Sequence, residues 1–189
     1  MIKASRYYIA ACGRDHAVIS AMADVLGLAG LLFIGAQLRL PLPFSPAPFT
    51  LQVLVVLTAP YFLGRNRATA GTALFILSGL GGHAAGLSLF STASGTTLGY
   101  LFGFLLTPWL MSFFSDTSKG TLAAMASSSF MILLLGTIWL HLFLGLSFSR
   151  AMLVGFLPFV AGDMVKIGLA YSIVNGCRRR SCAMADETL

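Results

Sequence analysis

Charged residues are scarce in this chain. Of its 189 residues only 10% are Asp, Glu, Lys or Arg, whereas 57% are hydrophobic, and the mean hydropathy is +0.87. A water-soluble domain of this length needs a much larger polar surface, so the composition excludes an ordinary soluble globule. Apolar runs recur from about residue 17 to 175, and this spread predicts several membrane-spanning segments instead of a single anchor.

Residues for catalysis and metal binding are equally few. The chain has three His and three Cys residues, and no His residue shares a motif with a nucleophile and an acid. No His, Cys and carboxylate cluster has the spacing of metal ligands, and the sequence contains no GxxxxGK[ST] phosphate loop. We therefore expect neither an enzyme nor a bound cofactor, and any ATP-driven step requires a separate ATPase subunit.

The apolar runs predict an all-α integral membrane protein. Only helices satisfy their own backbone amides in lipid, and the alternation typical of barrel strands is absent. Cutting the sequence at charges, Pro and Gly gives one membrane domain, 1–189, with six transmembrane helices in a compact bundle. Their approximate ranges are 17–38, 49–64, 68–82, 95–114, 121–147 and 153–176.

The basic residues predict the orientation of these helices. Most fall on one side of the predicted bundle: Lys3, Arg6, Arg14, Arg65, Arg67, Lys119, Arg178, Arg179 and Arg180. Only Arg39 and Arg150 fall on the other side, and Lys166 lies within a span. By the positive-inside rule both termini are cytoplasmic, in a multi-pass protein of the cell membrane, which in a bacterium is the inner membrane. This clustering accounts for the net charge of +6 without nucleic-acid binding.

The segment LPFSPAPFTLQ, residues 42–52, connects the first two predicted helices on the outer side. Its prolines restrict the backbone, so we expect a stiff, non-helical loop. A stiff loop loses little conformational freedom when it binds a ligand. Phe44 and Phe49 offer apolar surfaces, and Thr50 and Gln52 offer hydrogen-bonding groups. A proline-rich hairpin that only spaces two helices is the alternative interpretation.

The last predicted helix carries two charged residues at hydrocarbon depth. In PFVAGDMVKIGLA, Asp163 and Lys166 follow Pro158, which favours a helix start. The i, i+3 spacing puts both side chains on one helix face, and each ion costs about 2.5–3.5 kcal/mol to insert at such a depth. The two residues form either a structural ion pair or, because the stiff loop is near, a clamp for a small polar solute.

The fourth predicted helix begins with GTTLGYLFG, in which Gly95, Gly99 and Gly103 form a stripe of small residues. Such a stripe lets another helix or a ligand approach closely. Tyr100 lies near the outer end of this helix, where its hydroxyl group can meet the loop, water or a solute, or anchor the ring at the interface.

The first predicted helix contains an isolated acid, Asp24, in its inner part. Its carboxylate can extend to the interface, bind a partner helix or pair with Lys166 across the bundle. The same helix has small residues suited either to internal packing or to contact with another membrane protein: Ala17, Ala21, Ala23 and Gly27.

Three separated segments resemble the BioY family, the biotin-binding S components of energy-coupling factor (ECF) transporters. LPLPFSPAPFTLQ is similar to the family's first outer loop, GTTLGYLFGF to its GPTGGYLLGF-like segment, and PFVAGDMVK to its PGDxxK-like segment. They occur in the family's order and extend from the first to the last predicted helix. The resemblance implies six helices and a subunit that captures biotin outside and delivers it inward with a transmembrane coupling subunit and paired ATPases.

Carried over by position, the resemblance implies these substrate-binding residues: Phe44, Phe49, Thr50, Gln52, Tyr100, Asp163 and Lys166. Asp163 would accept a ureido N–H of biotin, and Lys166 would donate to the ureido oxygen or meet the carboxylate. The segment GGHAAGLSLFSTASG has no Lys or Arg, so the carboxylate is left with Lys166, Arg39, Arg150 or neutral polar groups. The alternatives are an S component for another small vitamin and a non-transport membrane scaffold.

Overall fold

The protein is almost entirely helical. The structure, a computed structural model, describes residues 14–43, 45–84, 95–114 and 117–186. The helices are α1 (Arg14–Gln37), α2 (Gln52–Ala84), α3 (Leu98–Met111), α4 (Ser118–Leu144), α5 (Phe148–Gly155) and α6 (Leu157–Asp186). Two short antiparallel strands, β1 (Arg39–Leu40) and β2 (Phe49–Thr50), lie in the loop between α1 and α2. The all-helical prediction is thus confirmed apart from this strand pair.

Within the described residues, three helical stretches are long and apolar enough to cross a membrane: Val18–Gln37, Ser118–Leu144 and Phe148–Arg178. Leu98–Met111 is a shorter apolar helix. Large apolar side chains are exposed along them, including Leu31, Phe102 and Leu142. Because each exposed Å² of apolar surface costs about 25 cal/mol in water, this surface requires lipid, and the protein is a membrane protein.

Helix α2 is interrupted at Gly64, whose backbone has φ 77° and ψ 167°. This conformation is essentially restricted to glycine, since a Cβ atom would clash with the backbone. The two predicted ranges 49–64 and 68–82 fall on the two sides of the interruption.

The contacts of α2 with α1 show that the chain reverses at this interruption. Gln52, the first residue of α2, hydrogen-bonds to the last part of α1. Beyond the interruption, Asp24 of α1 pairs with Arg67 of α2. Four residues later in both helices, Leu28 packs against Gly71. The first part of α2 therefore runs antiparallel to α1, and the second part runs parallel to it.

Helix α3 packs closely on α4 through its small residues. A Cβ atom on Gly99 would lie 2.2 Å from the Cβ of Trp139, and one on Gly103 would lie 2.7 Å from the Cα of Ile132. The glycine stripe is thus filled by a neighbouring helix, in keeping with the packing interpretation. Helix α4 also contacts α5 and α6, and α2 contacts α3 and α6, so the helices enclose a common interior.

Candidate functional site

A cavity of about 90 Å³ opens beneath the loop that joins α1 and α2. This is several times the roughly 10–15 Å³ that one water molecule needs by the same measure. Most of its wall is apolar, and the wall comes from the loop and from α1, α2, α3, α4 and α6. The lining residues are Ala36, Arg39, Ala47, Pro48, Thr50, Gln52, Val53, Thr97, Tyr100, Leu101, Phe104, Ile132, Leu133, Phe159, Asp163 and Lys166.

The charged residues predicted on the last helix meet at this cavity. Lys166 Nζ donates to Asp163 Oδ1 at 2.9 Å, and each side chain is only 4% exposed. Ser129 Oγ on α4 donates to the other carboxylate oxygen, Oδ2, at 2.7 Å. Both carboxylate oxygens thus have a partner, which is how a buried charge is tolerated at this depth.

Phe49 supports the amine of this pair. Lys166 Nζ lies 3.7 Å from the centroid of the Phe49 ring, a cation–π contact. The same ring stacks on Phe159, with centroids 6.4 Å apart and planes 13° apart. It fits there because Gly162 has no side chain: a Cβ atom at Gly162 would lie 2.1 Å from the ring. Phe49 therefore fixes Lys166 but is not itself among the cavity-lining residues.

Thr50 and Gln52 connect the loop to α1. Thr50 Oγ1 donates to Gln52 Oε1 at 3.3 Å, and Gln52 Nε2 donates to the backbone carbonyl of Leu32 at 3.3 Å. Gln52 is only 7% exposed, and these two bonds use one donor and one acceptor position of its amide. Both residues line the cavity, and their polar groups hold the loop over it.

Tyr100 presents its ring to the cavity, while its hydroxyl group bonds to the backbone. The hydroxyl donates to the Gly155 carbonyl at 2.6 Å. That carbonyl is free because the helical hydrogen-bonding pattern breaks between α5 and α6: Phe159 N donates to the Phe156 carbonyl instead. The break is next to Pro158, which lies in the first turn of α6, one residue after the helix begins.

The predicted site residues thus divide by location. Thr50, Gln52, Tyr100, Asp163 and Lys166 converge on one cavity, and Phe49 packs directly beside it. Phe44 lies outside the described residues.

Asp24, the isolated acid of α1, pairs with a residue that does not line the cavity. Asp24 forms a salt bridge with Arg67, and the two side chains are 32% and 27% exposed. Pairing of Asp24 with Lys166, one of the alternatives considered from the sequence, is therefore wrong. Asp24 pairs instead with the second part of α2, and Lys166 is bonded to Asp163 at the cavity.

Sequence reasoning missed Ser129, which holds the second oxygen of Asp163. A signal was present: Ser127, Ser128 and Ser129 form a hydroxyl run within an otherwise apolar helix. Polar residues inside a membrane helix usually face the bundle interior and pair there. The run therefore indicates an inward-facing polar site on α4.

Comparison with known proteins gives a consistent result. The BioY family model matches residues 9–182. The biotin transporter BioY of Thermotoga maritima is 33% identical over 74% of this chain and 85% of its own length. The probable biotin transporter BioY of Pyrococcus horikoshii is 30% identical over 76% of this chain and 86% of its own length.

The fold also matches a solved structure, described as the S-component for biotin from an ECF-type ABC transporter. The match has a TM-score of 0.73 at 24% identity and covers 89% of this chain and 95% of that chain. The chain belongs to the BioY family.

Proposed function

We propose that this protein captures biotin from the extracytoplasmic side of the membrane and delivers it inward as the S component of an ECF transporter. The observation that carries the proposal is the buried Asp163–Lys166 pair on the wall of a mostly apolar cavity. The pair lies in a chain of a family whose curated relatives are named biotin transporters.

The chemistry of the pair suits the ureido head group of biotin. A carboxylate has about four lone-pair positions and an ammonium group has three donors. In the structure the carboxylate accepts from Lys166 and Ser129, and the ammonium donates to Asp163. Asp163 therefore retains capacity to accept a ureido N–H, and Lys166 retains N–H groups for the ureido oxygen. The rings of Tyr100 and Phe159 supply apolar walls for the fused rings.

The proposed topology has six membrane crossings in one domain, 1–189, with both termini in the cytoplasm. The reversal at Gly64 supports two crossings within α2, and the basic residues Arg65 and Arg67 beside it favour the cytoplasmic side. The protein is then a multi-pass protein of the cell membrane, which in a bacterium is the inner membrane.

The proposed partners are a transmembrane coupling subunit and ATPase subunits, and this chain itself binds no cofactor. Helix α1 packs mainly against α2 and leaves Ala23 and Gly27 exposed, whereas Ala21 is half-buried. A Cβ atom added at Gly27 would meet nothing within 4 Å. A Gly27→Leu variant should therefore keep its fold and its biotin binding but lose uptake with the partner subunits, if this face contacts them.

Equilibrium binding of labelled biotin to the purified chain in lipid nanodiscs tests the function. We expect saturable binding that unlabelled biotin displaces and other small vitamins do not, and that Asp163→Asn weakens. Asp24→Asn is the matched control, since it breaks an ion pair remote from the cavity. Absence of biotin binding would indicate either an S component for another small vitamin or a scaffold, and binding of other labelled vitamins to the same nanodiscs would separate these two.

A further inference from the structure

Among the residues that the structure describes, three charged side chains line the cavity: Asp163, Lys166 and Arg39. The first two are buried and bonded to each other, whereas Arg39 is exposed. Arg39 and Pro48 also line a second, more open depression formed by the loop. Arg39 therefore lies where the cavity opens outward, and the buried ion pair lies inside.

The strand pairing of the loop fixes the position of Arg39. Arg39 in β1 stands directly opposite Thr50 in β2 in the antiparallel pair. Residues directly opposite each other in such a pair project to the same face. Thr50 also lines the cavity, so the backbone itself directs both side chains toward the cavity mouth.

The charge of Arg39 is not compensated within the described part of the chain. Of the carboxylate side chains described there, Asp24 pairs with Arg67 and Asp163 pairs with Lys166. No acid in these residues pairs with the positively charged guanidinium group of Arg39. Because Asp163 and Lys166 cancel, the cavity lining has one net positive charge, and this charge is at its mouth.

We propose that Arg39 binds the carboxylate of the substrate and so selects a monoanionic ligand. This inference rests on the proposed function, in which the Asp163–Lys166 pair holds the uncharged ureido head. A guanidinium group matches the two oxygens of a carboxylate with paired N–H donors. Lys166 is already bonded to Asp163, and Arg150, the other cation predicted on the outer side, is not among the lining residues.

A comparison of two ligands on four proteins tests this role. The ligands are biotin and biotinamide, in which an uncharged carboxamide replaces the carboxylate. The proteins are the unmodified full chain and its Arg39→Gln, Arg39→Lys and Arg150→Gln variants in lipid nanodiscs, and calorimetry measures each Kd. Arg150→Gln is the matched control, because it removes an exposed outer arginine that does not line the cavity.

We expect Arg39→Gln to weaken biotin binding about tenfold, as for one partly hydrated charge-assisted contact. Its affinity for biotinamide should stay within about twofold of the unmodified chain, the usual error of additivity. Arg39→Lys should recover part of the biotin affinity, and Arg150→Gln should leave the Kd for both ligands unchanged.

Retained binding of biotinamide shows that the Arg39→Gln variant is folded. An equal loss for both ligands in that variant would overturn the inference, since it would indicate a role of Arg39 in loop packing alone. If the unmodified chain binds biotin and biotinamide equally and Arg39→Gln affects neither, the proposed function stands and the role of Arg39 fails. If the unmodified chain binds neither ligand, the proposed function fails, and the role of Arg39 fails with it.

Discussion

The buried pair of Asp163 and Lys166 allows stability and ligand binding to be separated by three variants: Asp163→Asn, Lys166→Met and the double variant. The two atoms are 2.9 Å apart and each side chain is 4% exposed. Removing one partner leaves the other charge buried without compensation, which typically costs about 3–5 kcal/mol. Removing both charges together costs much less, because similar-sized uncharged side chains often replace a buried ion pair with nearly no loss.

Each single variant should therefore unfold at clearly lower temperature than the unmodified chain, and the double variant should recover most of the difference. Thermal unfolding in nanodiscs, followed by the fluorescence of Trp109 and Trp139, measures this. Asp24→Asn is the matched control: its pair with Arg67 is about a third exposed, so its loss should cost about 1 kcal/mol or less.

The effects of these variants on biotin binding should differ from their effects on stability. If the pair makes two charge-assisted hydrogen bonds to biotin, each contributes about 1.5–3 kcal/mol. Losing both removes at least about 3 kcal/mol, or more than about a hundredfold in Kd. The double variant should thus be stable yet bind biotin with a Kd more than about a hundredfold above that of the unmodified chain. A stable double variant with an unchanged Kd would refute the reasoning and leave the pair as a purely structural feature.

Three further variants test the supporting structure. Tyr100→Phe removes the donor to the buried Gly155 carbonyl and should destabilise the protein by about 1–3 kcal/mol in thermal unfolding; an unchanged melting temperature would contradict this bond. Gly162→Ala should weaken biotin binding about tenfold in the calorimetric assay, because the added methyl group displaces the ring of Phe49. Gly168→Ala is the control and should leave binding unchanged, since a Cβ atom there meets nothing within 4 Å. Gly64→Ala should cost about 1–3 kcal/mol of stability because of its positive φ, and normal folding yield and melting would argue against the reversal.

Local features of the sequence were sufficient to predict much of the site. The spacing of Asp163 and Lys166 puts them on one face of any helix, so their pairing follows from periodicity alone. The prolines that precede Thr50 likewise predict a non-helical segment before α2 without knowledge of its neighbours. Both predictions depend on chain segments shorter than a dozen residues.

Contacts between distant segments were not predictable in this way. The predicted spans 49–64 and 68–82 already place a reversal near Gly64, but they do not specify that the second part of α2 packs beside α1, which is what brings Arg67 to Asp24. The bond from Tyr100 to Gly155 depends on a carbonyl freed by the break between two helices. Such partners are determined by tertiary packing, which hydrophobic periodicity does not encode.

The two described ion pairs differ in the hydrogen-bonding capacity that each leaves open to a ligand. Asp24 and Arg67 are partly exposed, so solvent or lipid head groups satisfy the hydrogen bonds that the pair leaves open. Asp163 and Lys166 are buried, and their protein partners use only part of their hydrogen-bonding capacity. A pair needed only for packing is readily replaced by apolar side chains, which avoid the cost of desolvation. An enclosed pair with unused donors and acceptors, placed on the wall of an apolar cavity, is instead the arrangement that a small polar ligand completes.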